Sequence, residues 1–272
     1  MNYTICPKCG VCACAHSYYA GYHCFQKQNG CGATFPTHIV RDQGLLVYAI
    51  TKNDFLNTEI RGYSHDFYIP VRLGGGETSK IVLKIKNISN NKISREIEVA
   101  KTEISKIVKF DLDKIIESDR KYRDEQPVVV VIPISKPDNY WDNSQLQFRS
   151  AISDGISSSK WIVDGTQYLT RLRATQTTHI AHLNKPENIG EPPYPGITKD
   201  TCGLSNNIEN KNIILIDDIY TVGVGIDEDC VRFLLDNGAA SVVLYTLGVT
   251  IKIPNNSTNN IASMNWISNV DF

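Results

Sequence analysis

Two adjacent carboxylates follow an apolar run in the last quarter of the chain and precede a loop that contains glycine. The run Asn212 to Ile216 leads into Asp217 and Asp218. The loop that follows contains Tyr220, Thr221, Val222, Gly223, Val224 and Gly225. Backbone N–H groups of such a loop, and of a helix after it, bind phosphate. Carboxylates repel phosphate, but they accept hydrogen bonds from sugar hydroxyls or hold Mg²⁺ through water. The pattern therefore predicts a site for a phosphorylated ribose with Mg²⁺.

The cysteines predict a second chemistry, because six of the eight lie within the first 31 residues. Cysteines clustered in this way in a reducing compartment are typical of a metal site. The motif Cys6-Pro7-Lys8-Cys9-Gly10 matches a zinc knuckle, and Cys24 with Cys31 is the best second pair. The alternatives for a ligand are Cys12, Cys14, His16 and His23. Four thiolates would close the tetrahedron, so the predicted Zn²⁺ is structural, and unliganded reduced thiols are the other interpretation.

Composition limits the class of protein. The chain has 272 residues, 42% hydrophobic and 21% charged, with a formal net charge of −1. These values are typical of a globular protein and exclude collagen, a coiled coil and wholesale disorder. A net charge near zero gives no global basic field for bulk nucleic-acid or membrane binding. The sequence has no run long enough for a membrane span and no secretory signal, so we expect a cytoplasmic protein.

The elements before residue 125 predict a small β unit and one helix. Apolar and alternating patterns predict strands at 44–50, 66–73, 81–86 and 93–99. From 103 to 123 the apolar residues follow a helical stripe.

The elements after residue 125 predict an α/β domain. The β-branched run Val128 to Ile132 is typical of a parallel strand buried on both faces. Segments 146–156 and 161–172 fit helices, and the proline-rich segment 183–203 fits a loop. A strand at 213–216, a helix at 227–237 and a strand at 241–247 form a βαβ unit. A doubly wound parallel sheet is the expected result.

The segment 212–225 resembles the binding signature for phosphoribosyl diphosphate (PRPP) of type I phosphoribosyltransferases, and the whole chain resembles their ComF-like group, which carries an N-terminal zinc ribbon. Segments 131–136 and 169–176 resemble the family's pyrophosphate loop and its arginine-rich segment. The resemblance implies a zinc ribbon at 1–36 and a phosphoribosyltransferase-like α/β domain at 106–272. It does not cover the segment between them, for which the strand patterns predict a small β-rich segment at 37–105.

By this resemblance, Asp217 and Asp218 contact the ribose hydroxyls and support Mg²⁺, and the loop from Tyr220 to Gly225 binds the 5′-phosphate. Ser135 and Lys136 hold pyrophosphate, and Arg171 or Arg173 neutralises the departing diphosphate. Two positions depart from the family pattern, because Val222 and Gly225 stand where hydroxyl donors are usual.

Two functions follow as expectations. The first is a Mg²⁺- and PRPP-dependent phosphoribosyltransferase with an unidentified acceptor. The second is a module that binds PRPP or a nucleotide without turnover, which the zinc ribbon would couple to DNA or to a protein partner in competence or DNA processing. A structural adaptor with an inactive pocket is a third interpretation.

Overall fold

The computed structural model describes residues 3–5, 12–16, 21–23, 34–35, 40–69, 71, 75–87, 90–177, 188–193, 195–221 and 224–250, with side chains from residue 41 onward. At the N-terminus the backbone forms a four-stranded antiparallel sheet in the order β1-β2-β3-β4. Its strands are β1 (Tyr3–Ile5), β2 (Cys12–His16), β3 (Gly21–His23) and β4 (Thr34–Phe35). The predicted zinc ligands Cys6, Cys9, Cys24 and Cys31 lie outside the described residues.

The main body is an α/β fold around a mostly parallel sheet of seven strands, in the order β5-β6-β7-β13-β12-β8-β9. The strands are β5 (Val40–Asp42), β6 (Leu45–Ile50), β7 (Ile60–Tyr68), β8 (Val128–Val131), β9 (Val163–Asp164), β12 (Asn212–Tyr220) and β13 (Ser241–Thr250). Strands β7, β13, β12, β8 and β9 are parallel, and β5 and β6 add an antiparallel edge. A two-stranded antiparallel ribbon, β10 (Leu169–Arg171) with β11 (Cys202–Leu204), stands beside it.

Helices cover both faces of this sheet, because neighbouring residues of each buried strand point to opposite faces. Val129 of β8 and Ile214 of β12 pack on one face, and Val128 and Ile213 pack on the other. The first face is covered by α1 (Glu77–Lys86), α2 (Ser94–Ser118) and α4 (Gln147–Ile156), and the second by α5 (Ile226–Asp236). A short helix, α3 (Arg120–Asp124), follows α2. This arrangement is compatible with a doubly wound α/β fold.

The central predictions of the α/β domain are confirmed. The run from Val128 is a parallel strand whose four residues are at most 2% exposed. Strand β12, helix α5 and strand β13 form the predicted βαβ unit, since β12 and β13 are parallel neighbours. Among the described residues no helix is both long and apolar enough to cross a membrane.

Three predicted elements are wrong. Segments 81–86 and 93–99 belong to helices α1 and α2, and 161–172 contains β9 and β10 rather than a helix. In α1 the buried residues Ile81, Val82 and Ile85 follow helical spacing, and Leu83, which the alternating pattern placed on one face with Ile81 and Ile85, is 38% exposed. The small antiparallel unit expected before residue 105 is therefore absent from the described part, because β5, β6 and β7 extend the main sheet. The expected boundary at 105/106 falls within α2.

Candidate carboxylate site at the carboxyl edge of the sheet

The functional candidates gather where the parallel strands β7, β13, β12 and β8 end, which we call the carboxyl edge. Ligands of open α/β sheets bind at this edge. Strand β12 does not end before its acidic pair as predicted, but continues through Asp217 and Asp218 to Tyr220. The two carboxylates therefore lie within a strand, and consecutive side chains of a strand point to opposite faces.

Asp217 faces helix α5. Its carboxylate accepts a hydrogen bond from the backbone N–H of Asp218 at 2.8 Å and lies in hydrogen-bonding reach of the Asp227 carboxyl in the first turn of α5. Burial, followed by the charge of Asp218, raises the pKa of Asp217 to about 7. Burial and the neighbouring charge of Asp217 also raise the pKa of Asp227 well above its ordinary value. The proton is therefore better placed on Asp227, and Asp217 titrates near neutrality.

Asp218 faces the opposite side of the sheet and forms an ion pair with Lys86, the last residue of α1. The Asp218 side chain is 9% exposed, whereas that of Lys86 is 34% exposed. Burial alone would lower the pKa of Lys86, but the charges of Asp218 and Asp217 outweigh it and raise that pKa. Lys86 is not among the predicted site residues, because the alternating pattern assigns 81–86 to a strand. Its only signal in sequence is its place among the basic residues that end a helix.

The loop between β12 and α5 is a tight turn at its described positions. The Thr221 carbonyl accepts a hydrogen bond from the Val224 N–H at 3.1 Å, and the Thr221 hydroxyl bonds the Thr250 hydroxyl at 2.7 Å. Gly225 has a φ of 88°, and a Cβ there would lie 2.7 Å from the Phe55 ring. Glycine is therefore required where the chain enters α5. Val222 and Gly223 lie outside the described residues.

Tyr220 lies in the core rather than at the surface of this loop. Its ring stacks on Tyr48 with centroids 5.5 Å apart, and its hydroxyl donates to Glu228 at 3.1 Å. Glu228 and Tyr220 are 2% and 3% exposed. The Tyr220 hydroxyl is thus already engaged, and a phosphate in this loop would be held by backbone N–H groups.

The segment after β8 lies beside the carboxylates at the same edge, since β8 is the parallel neighbour of β12. The Ser135 hydroxyl pairs with the Thr177 hydroxyl at 3.0 Å. Lys136 is 7% exposed and donates to the backbone carbonyls of Thr175 and Ile189. Burial, and then the charge of Arg171, lowers the pKa of Lys136. Its ammonium group therefore ties loops together in this structure.

The two predicted arginines have different surroundings. Arg171 is 6% exposed and donates to the carbonyls of Ile134, at 3.0 Å, and Gly196. Arg173 is exposed and lines a surface cavity of about 270 Å³ together with Glu191 and Asp200. The structure therefore gives Arg171 a bridging position between two loops and leaves Arg173 accessible.

We expect Arg171→Lys to destabilise the fold by about 1–3 kcal/mol, because one ammonium cannot reproduce the planar fork that serves both carbonyls. Denaturant unfolding measures this change, with Arg173→Lys as the exposed control that should stay within about 0.5 kcal/mol. Equal stability of the Arg171→Lys variant and the wild type would contradict the bridging role.

The donor set fits Mg²⁺ only in part. Carboxylate oxygens are ligands that Mg²⁺ prefers, and Asp217, Asp218 and Asp227 supply them. However, the described residues contain no group of three His, Cys, Asp or Glu side chains arranged to hold a metal ion. A divalent cation here would therefore take most of its ligands from water and from the phosphates of a bound molecule, as Mg²⁺ commonly does.

Compared with known proteins, the chain matches no family model and no curated protein sequence. The function is therefore inferred from the geometry of the carboxyl edge.

Proposed function

We propose that the protein binds a phosphorylated ribose of the PRPP class, together with Mg²⁺, at the carboxyl edge of its sheet. The observation that carries the proposal is the pair Asp217 and Asp218, placed near the end of a central parallel strand and followed by a glycine turn into α5. Ionised carboxylates accept hydrogen bonds from vicinal sugar hydroxyls, while N–H groups of the turn and of the α5 N-terminus take the 5′-phosphate.

The activity proposed for this site is phosphoribosyl transfer. An acceptor atom forms a bond to the anomeric carbon, the bond to pyrophosphate breaks, and pyrophosphate leaves with the electron pair. The acceptor's proton passes to solvent. Mg²⁺ would neutralise the charge that develops on the leaving group. The chain's own contribution is to hold the ribose hydroxyls at Asp217 and Asp218 and so to orient the ring.

A second candidate is binding without turnover, and a specific observation favours it. Lys136 and Arg171, two of the three cations predicted to hold the diphosphate, donate to backbone carbonyls instead, and the third, Arg173, is exposed. A zinc ribbon would then couple ligand binding to DNA or to a protein partner. The zinc site, the ribbon's partner and a cytoplasmic location belong to the proposal in either form.

The proposal is tested by titrating the protein with PRPP in a calorimeter, with and without Mg²⁺. We expect saturable binding that is at least about tenfold weaker without Mg²⁺, because the cation screens the diphosphate from the carboxylates. Ribose without phosphate serves as the control ligand and should not bind measurably. Absence of binding at millimolar PRPP would reject the function. Pyrophosphate release with a panel of bases and amines would then separate transfer from binding alone.

A further inference from the structure

Lys86 places a positive charge at a site that otherwise consists of carboxylates. It lies in the last turn of α1 and pairs with Asp218, and its side chain remains one-third exposed. Tyr68, the last residue of β7, lies close enough that Lys86 and Asp218 both act on its phenol. The Lys86 side chain therefore lies, partly exposed, where β7, β12 and α1 meet.

A second observation, on the Asp217 face of strand β12, indicates a ligand. Asp227 is 1% exposed, and its Oδ1 has no hydrogen-bond partner among the described residues. Its carboxyl lies within hydrogen-bonding reach of Asp217, on the α5 side of the sheet. A buried polar atom without a partner is costly, and a ligand hydroxyl or a bridging water would satisfy it.

Charge explains why an anionic ligand requires Lys86. Two carboxylates close together repel a phosphate, and this repulsion is strong where burial lowers the effective dielectric. An ammonium group has three donors, and one of them suffices for Asp218. Lys86 can therefore neutralise Asp218 and bind a phosphate oxygen of the ligand at the same time.

We propose that Lys86 is a ligand-binding residue of the carboxylate site, where it binds a phosphate oxygen of a sugar phosphate whose hydroxyls are held by Asp217 and Asp218. This inference rests on the proposed function and names the side chain that would bind a phosphate group of its ligand. Lys86 thereby sets the preference of the site for the phosphorylated over the unphosphorylated sugar.

The test compares Lys86→Met with Lys86→Arg, and uses Lys84→Met in the same turn of α1 as the matched control. Each variant is titrated with PRPP and with ribose 5-phosphate in the presence of Mg²⁺, and its thermal unfolding is recorded. We expect Lys86→Met to weaken the binding of both ligands at least tenfold, Lys86→Arg to stay within about threefold of the wild type, and Lys84→Met to bind like the wild type.

The possible outcomes distinguish a failure of the role proposed for Lys86 from a failure of the proposed function. If the wild type binds PRPP and Lys86→Met binds equally well, the role of Lys86 is overturned and the proposed function stands. If Lys86→Arg fails as completely as Lys86→Met while its unfolding is unchanged, charge at this position is not what the ligand needs, and the role is again overturned. If the wild type binds neither ligand, the proposed function itself fails.

Discussion

Replacing both Asp217 and Asp218 by asparagine should abolish Mg²⁺-dependent PRPP binding, with a loss of at least about 100-fold in affinity. Asparagine keeps the size of aspartate but replaces charge-assisted hydrogen bonds by weaker neutral ones. Each charge-assisted bond contributes roughly 1.5–3 kcal/mol against about 0.5–1.5 kcal/mol for a neutral one, so the two substitutions lose about 2–3 kcal/mol in hydrogen bonding. The attraction of both charges for Mg²⁺ is lost in addition. Calorimetric titration of the double variant measures the loss.

A matched control separates the effect of losing carboxylates at the site from the effect of changing the overall charge of the protein. Asp113 lies on the exposed side of α2 and pairs with Lys109, so Asp113→Asn removes one of the two negative charges at a position away from the site. This variant should bind PRPP as the wild type does. If the PRPP affinity of the double Asp217→Asn/Asp218→Asn variant stayed within about threefold of the wild-type value, the two carboxylates would not be ligand-binding residues.

The raised pKa of Asp217 predicts that both the stability of the fold and the affinity for PRPP depend on pH. Its pKa of about 7 in the fold is raised from 3.8, so between these values the folded protein holds a proton that the unfolded chain releases. The free energy of unfolding therefore falls as pH rises from about 4 to about 7. Ligand binding changes in the opposite direction, because only the ionised carboxylate attracts Mg²⁺ and accepts two hydroxyl donors.

Two measurements on the single variant Asp217→Asn test this linkage. Its thermal midpoint at pH 8 should exceed that of the wild type, because the buried charge is gone while an amide oxygen still accepts the Asp218 N–H. Its residual PRPP affinity should also lose the part of the pH dependence near 7 that Asp217 causes. A lower midpoint at pH 8 would show that the Asp217 charge stabilises the fold.

The sequence predicts the central strands well because their signal is local. Val128 to Val131 and Ile213 to Ile216 are continuous apolar runs, and only a strand buried on both faces buries every residue of such a run. The helix after Gly225 has apolar residues at helical spacing, with Cys230, Val231 and Leu234 buried. These elements suffice to place Asp217 and Asp218 at the carboxyl edge.

The rest of the site depends on contacts that local pattern does not encode. Ile97, Ala100 and Ile104 follow the spacing of a buried helix face, but the β-branched residues around them also fit short strands. The contact between Lys86 and Asp218 joins segments far apart in sequence, and local pattern does not predict such contacts. The strand assigned to 81–86 also gives no reason to place Lys86 at the end of a helix beside Asp218. The same holds for Arg171, because a guanidinium that bonds loop carbonyls and one that faces a diphosphate have the same sequence signal.

The loop on which Arg171 depends is anchored by Asp229, and Asp229→Ala should be the most destabilising substitution near the site. The Asp229 side chain is fully buried, and its Oδ2 accepts hydrogen bonds from the N–H groups of Gly196 and Ile197 at 2.7 and 2.8 Å. Its Oδ1 pairs with Arg232 at 2.6 Å. Alanine would leave two buried N–H groups without an acceptor, at roughly 1–3 kcal/mol each. We expect a loss of about 3–5 kcal/mol in the free energy of unfolding.

Denaturant unfolding measures this loss, with Asp236→Ala at the exposed end of the same helix as the control. That variant should change stability by less than about 0.5 kcal/mol. Amide exchange adds a local readout, because the Gly196 and Ile197 N–H groups should exchange much faster in Asp229→Ala. The Gly196 carbonyl accepts from both Arg171 and Thr201, so release of this loop also frees the arginine beside the segment that carries Ser135 and Lys136. A loss below about 1 kcal/mol would mean that water replaces the carboxylate, and that α5 does not fix the loop at the carboxyl edge.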